Sequence, residues 1–137
     1  MRVVVDTNVL AYYLLGTPRI AAEAGALLGA AKELLAPALW EAELANVVWM
    51  AARSGVIPAA EAPARLRLAA GLGVQSVPMR TLWQGALVRS LQTGVAVYDT
   101  LFVELAARER IALATFDRRL TKAFSSLAVR PGAVVLE

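Results

Sequence analysis

The chain opens on an unbroken apolar run, Val3-Val4-Val5, which Asp6 closes. Consecutive β-branched residues without polar alternation fit a strand buried on both faces, so Arg2–Val5 is predicted as the first strand. Two helical stretches follow, broken by Gly16-Thr17-Pro18, and then a short strand near Leu34 to Ala36. Pro37 is placed to open a long helix, whose apolar faces carry Leu39, Leu44, Val47, Val48 and Ala51. Gly55 and Pro58 end that helix and start another, and Gly71 to Val77 reads as a third strand closed by Pro78. Helices over 81–92 and 98–108 precede a fourth strand, Ile111 to Thr115. A short helix begins at Asp117, and Ala133 to Leu136 is expected to close the sheet. Short β-branched runs alternating with helical patterns predict an α/β fold, a single domain over 1–137 with a mainly parallel sheet of four to five strands.

Composition narrows the picture. An apolar fraction of 58% and a mean hydropathy of +0.57 exceed what a small monomer hides easily, so a subunit or partner interface is expected. Glu23, Lys32, Glu41, Glu43 and Arg53 interrupt the apolar early half, which argues against a membrane span. Asp6 and Asn8 cut the first apolar run and no cleavage site follows, which predicts a soluble, cytoplasmic protein without a targeting segment. The absence of cysteine excludes disulfides, thiol catalysis and Cys-ligated zinc, and the absence of histidine removes the imidazole base. Enzymatic chemistry must therefore rest on carboxylates, hydroxyls, lysines or a bound ion. The net charge of +3 is modest, but all the cations except Lys32 and Lys122 are arginines, which suit phosphate and allow a nucleic-acid partner.

The three aspartates each sit beside a predicted strand end or helix start. Asp6 ends the first strand, Asp99 opens the helix at Tyr98-Asp99-Thr100, and Asp117 follows Leu113-Ala114-Thr115. In an open parallel sheet the carboxyl ends of the strands share one rim, so Asp6 and Asp117 should face one crevice. A helix cap is the plain alternative for each, strongest for Asp117 and weakest for Asp6 at the end of a central strand. Glu43 stands among Trp40, Leu44, Val47 and Val48 and shares a helical face with Asn46, whereas Glu41 reads as an ordinary solvated glutamate. Asn8 and Asn46, the two asparagines of the chain, both fall within three residues of one of these acids, although Asn8 could instead cap a helix.

Carboxylates gathered at one rim repel unless a cation neutralises them. Without His or Cys, Mg²⁺ or Mn²⁺ is favoured over zinc, and such ions acidify water, polarise phosphoryl oxygens and, in pairs, promote in-line phosphodiester hydrolysis. Arg108, Arg110, Arg118, Arg119 and Lys122 lie near the acids in sequence and could hold phosphates, or simply form a solvated face. Tyr12, Tyr13 and Tyr98 are the aromatics suited to base stacking.

Four segments, Val4-Val5-Asp6-Thr7-Asn8-Val9-Leu10, Glu43-Leu44-Ala45-Asn46, Tyr98-Asp99-Thr100-Leu101-Phe102 and Thr115-Phe116-Asp117-Arg118-Arg119-Leu120, resemble PIN-domain proteins, and among these the VapC-type toxins of toxin–antitoxin pairs. The resemblance implies an α/β/α sandwich and cleavage of single-stranded RNA. It assigns Asp6, Glu43, Asp99 and Asp117 to the catalytic, metal-holding positions, with Thr7 and Thr115 as supporting hydroxyls. It also implies a homodimer and an antitoxin that covers the site, although PIN domains serve in RNA processing as well. A haloacid-dehalogenase-like phosphatase is a rival reading, but Asn8 stands where that class needs an acid. A response-regulator receiver needs an acid pair that Asp6-Thr7 does not supply. The non-enzymatic alternative is a module that binds an ion or RNA without cleaving it.

Overall fold

The computed structural model describes residues 1–136. Strand β1 (Arg2–Val5) is central, with Val3, Val4 and Val5 fully buried, as a strand covered on both faces requires. It is flanked by β2 (Glu33–Pro37) and β4 (Leu113–Ala114), and the outer positions belong to β3 (Gln75–Val77) and β5 (Ala128–Val129). All pairings are parallel, in the order β3-β2-β1-β4-β5.

Helices α1 (Thr7–Leu15) and α2 (Pro18–Ala30) connect β1 to β2, and α3 (Leu39–Arg53) and α4 (Ala62–Ala70) connect β2 to β3. The chain then passes back over β2 and β1 through α5 (Trp83–Thr93) and α6 (Val97–Glu109) to reach β4, and α7 (Arg118–Ala123) leads on to β5. Right-handed crossovers that run first one way and then the other place their helices on opposite faces, which makes an α/β/α sandwich. The order of connections also reverses between β1 and β4, and such a reversal opens a crevice at the carboxyl ends of those two strands. Helix α6 lies on β1, β2 and β4 beneath α5, so it is apolar almost all round, burying Leu101, Phe102, Val103, Leu105 and Ala106. No described helix is long and apolar enough to cross a membrane.

Three expectations need correction. Pro37 does not open the long helix; it is the last residue of β2, paired with Val77, and α3 starts at Leu39. Ala133 to Leu136 does not close the sheet. Pro131, with its fixed φ and lacking an amide donor, instead opens the helix α8 (Pro131–Leu136), and the fifth strand is Ala128–Val129. The third and fourth strands are also shorter than Gly71 to Val77 and Ile111 to Thr115, because ladder pairing is confined to Gln75–Val77 and Leu113–Ala114.

Considerable apolar surface stays uncovered. Trp83, Leu87, Val88 and Leu91 lie along one exposed side of α5, with Tyr98 nearby in sequence at the start of α6.

Candidate active site

The crevice holds a pocket of about 460 Å³ that Asp6, Glu43, Asp99 and Asp117 all line. Each acid arrives on a different element. Asp6 follows β1, where its amide extends the ladder to the Ala114 carbonyl at 3.0 Å, and it occupies the N-cap position of α1 without using its side chain as a cap. Glu43 projects from α3, Asp99 stands in the first turn of α6, and Asp117 caps α7 by accepting the Arg119 amide at 2.8 Å.

Hydroxyls and one amide fix the acids. Thr115 donates to Asp6 Oδ2 at 2.8 Å and accepts from Asn8 Nδ2 at 3.1 Å and from the Asp117 amide at 3.0 Å, which saturates its single proton and two lone pairs. Asn8 is oriented by the Phe116 amide, which donates to its Oδ1 at 3.1 Å, so its Nδ2 must face Thr115 and Asp6. Asn8 therefore lies inside α1 as a bridge between β1 and the loop after β4, not as a helix cap. Thr7 donates to Glu43 Oε1 at 2.8 Å.

The charges are crowded. Burial pushes the Asp6 carboxyl up to about 7, the Thr115 bond opposes this, and the charges of Asp99 and Glu43 reinforce it. Glu43 is raised by burial and by Asp99 against the Thr7 bond, and Asp99 is raised by burial and by Asp117 against Arg119. The cation facing these acids is Arg119, 3.5 Å from Asp117 and 4.0 Å from Asp99, but its side chain is 82% exposed and screened by solvent.

This donor set fits a hard divalent ion, since it is all oxygen and its like charges lack a buried counter-charge. Among the described residues no three acids converge closely enough to enclose an ion. A divalent ion at this site would therefore take one or two of the carboxylates and complete its shell with water or substrate phosphate.

Three residues singled out from the sequence lie elsewhere. Asn46 is exposed on α3 and directs its amide to Met50 Sδ at 3.7 Å, outside the pocket lining. Arg108 pairs with Glu104 at 2.8 Å near the far end of α6, more than two turns from Asp99, and Arg110 is the left-handed cap ending that helix. Arg118, Arg119 and Lys122 are exposed on α7, which starts at the pocket. Sequence reasoning missed the apolar wall that Ala11, Leu15 and Gly16 give the pocket; the spacing of 11, 12 and 15 from Asn8 along α1 is the signal that would have revealed it.

A parallel sheet with a strand-end crevice, lined by carboxylates and served by hydroxyls, defines an α/β/α protein with an acidic pocket at its switch point. The PIN domain family model matches residues 3–124, and the chain belongs to that family, whose members are nucleases. No curated protein matches it. Among solved structures it is similar to a chain of VapBC2 from Rickettsia felis bound to a DNA fragment from their promoter. The identity is 14%, the TM-score is 0.66, and the match covers 95% of this chain and 98% of that one.

Proposed function

We propose that residues 1–137 form one PIN domain that acts as a Mg²⁺- or Mn²⁺-dependent endoribonuclease on single-stranded RNA and serves as the toxin of a toxin–antitoxin pair in the cytoplasm. The observation that carries this reading is the convergence of Asp6, Glu43, Asp99 and Asp117 in one pocket, where burial and mutual repulsion raise Asp6 to about 7. The likeness to a VapBC2 chain supports a protein antitoxin as partner. The exposed apolar side of α5, with Trp83, Leu87 and Leu91, supports a homodimer.

When bound, the ion supplies Lewis acidity toward water and the phosphodiester. The protein's own residues prepare that chemistry. The side chains of Thr115 and Asn8 both engage Oδ2 of Asp6, which fixes the orientation of the carboxyl that would meet a ligand or hold a proton. Thr7 holds Oε1 of Glu43 in the same way. Arg119, loosely paired and exposed, is free to turn toward a phosphate, with Arg118 and Lys122 beside it on α7. Arg108, committed to Glu104, and Asn46, outside the pocket, have no part in this scheme.

The test is cleavage of a fluorescent single-stranded RNA with Mg²⁺, Mn²⁺ or EDTA, run with Asp6→Asn and Asp99→Asn. Cleavage is expected with metal and absent with EDTA or in either variant; folded wild type that leaves RNA intact under every metal condition overturns the proposal.

A further inference from the structure

The pocket has two unlike ends. Its acidic end is described above; the other is an apolar shelf built by Ala11, Tyr12 and Leu15 of α1 and Val47 of α3. Tyr12 is 41% exposed, and it sits one helical turn beyond Asn8, on the face that carries the acid-fixing amide.

The ring is also held in place. Phe116 meets it edge-to-face with centroids 5.1 Å apart, and the Arg130 guanidinium lies 5.2 Å from the Phe116 centroid. Arg130 is in turn gripped by Glu23, at 2.9 Å from Nε and 2.9 Å from Nη2, and Glu23 also accepts the Gly132 amide at 2.9 Å. Phe116 stands between Thr115 and Asp117, and its amide binds Asn8. The short loop that sets the acids therefore also buttresses Tyr12.

We infer that the shelf is a nucleobase subsite, with Tyr12 as the stacking platform for an unpaired base adjoining the scissile phosphate. This inference rests on the ribonuclease reading of the acid pocket. A phosphodiester lying at the carboxylates places its neighbouring base at the other end of the same pocket, where a fixed aromatic ring and aliphatic walls receive a π-face without reading its edge. Every base has such a face, so the subsite takes any base; what it rejects is a base still paired and stacked in a duplex. Single-strand preference then follows from Tyr12 and not from the acids.

The experiment crosses protein variants with RNA variants. Wild type, Tyr12→Ala, Tyr12→Leu and Tyr12→Trp are compared on one single-stranded RNA and on a series carrying an abasic site at each position around the cut, by cleavage kinetics and by anisotropy binding in EDTA. Tyr12→Ala is expected to raise KM and Kd roughly tenfold with kcat little changed, and Tyr12→Trp to restore both. At one flanking position the abasic RNA should weaken wild type by a similar factor and leave Tyr12→Ala unaffected. Tyr12→Leu keeps the apolar volume, so a loss there as well separates stacking from packing. Equal losses for wild type and Tyr12→Ala at every abasic position overturn the inference while leaving the nuclease intact, and would give the shelf to an apolar side chain of a protein partner. RNA that neither binds nor is cut overturns the inference and the ribonuclease reading together.

Discussion

Thr115 spends its one proton on Asp6 and both lone pairs on Asn8 and Asp117, so it sets the charge state of the pocket as well as its shape. Thr115→Val keeps the volume and strands three polar groups; RNA cleavage is expected to fall by about 10–100-fold. Because the Thr115 bond holds the Asp6 pKa down, the acidic limb of the pH–rate profile should also move to higher pH. Asp6 itself carries a stability signature. Its carboxyl rises from 3.8 to about 7 in the fold, so its protonated form is the favoured one. Stability from this group is complete below pH 3.8 and is lost as pH rises through about 7. The groups facing it are Thr115, Asn8, Asp99 and Glu43, none of them cationic. In EDTA at pH 8, Asp6→Asn should therefore melt roughly 5–10 °C above wild type, with the gap closing toward pH 4 in thermal scans. Asp6 was legible in the sequence because a carboxylate at the end of a buried strand has few uses, whereas Glu43, Asp99 and Asp117 joined it through the family resemblance. Asn8 and Asn46 were not separable in the same way, since nearness to an acid along the chain says nothing about which side of a helix a residue takes.

At the level of elements, the joint between α5 and α6 decides where Asp99 stands. Glu104 lies in that joint, bonded to Arg89 at 2.9 Å and Arg108 at 2.8 Å. Burial pushes its carboxyl up, and the two arginines more than offset this, leaving it below the usual range. The carboxylate fits because residue 85 is glycine; a Cβ there would lie 2.4–2.6 Å from its three carboxylate atoms. Gly85→Ala should cost about 1–3 kcal/mol in urea denaturation by expelling Glu104. In a Glu104→Ala background the same change should stabilise by up to about 1 kcal/mol, as alanine replaces glycine in an unobstructed helix. A sign that fails to reverse would show that the joint is set by other contacts. Element type was readable where one pattern dominated, as in Val3 to Val5. Pro37 misled because proline suits both the end of a strand and the first turn of a helix, and Ala133 to Leu136 because four apolar residues fit either element. Arg108 was placed by closeness along the chain, although more than two turns of α6 carry it away from Asp99.

For the molecule as a whole, part of the apolar excess in composition ends up on the exposed side of α5, where Leu91 is 79% exposed. If the proposed homodimer forms through this side, Leu91→Lys is expected to leave a monomer in light scattering without lowering the melting temperature of the subunit, since the side chain contributes little to its own core. Mg²⁺ or Mn²⁺ should raise the melting temperature at pH 7.5, by about 2.7 kcal/mol of stability at one hundred times Kd, and Asp6→Asn should abolish the gain. Parallel pairing and strand number were legible from the alternation of elements. The strand order was not, because an apolar run does not reveal which neighbour it takes. That order has a consequence for biosynthesis. β1 is among the first segments made, yet it gains its second neighbour only when β4 arrives, and Thr115 follows at once. While the chain is still emerging from the ribosome, Asp6 waits without its partner for more than a hundred residues. A polypeptide that ends just before Thr115 has four of the five strands but neither the hydroxyl that fixes Asp6 nor Asp117.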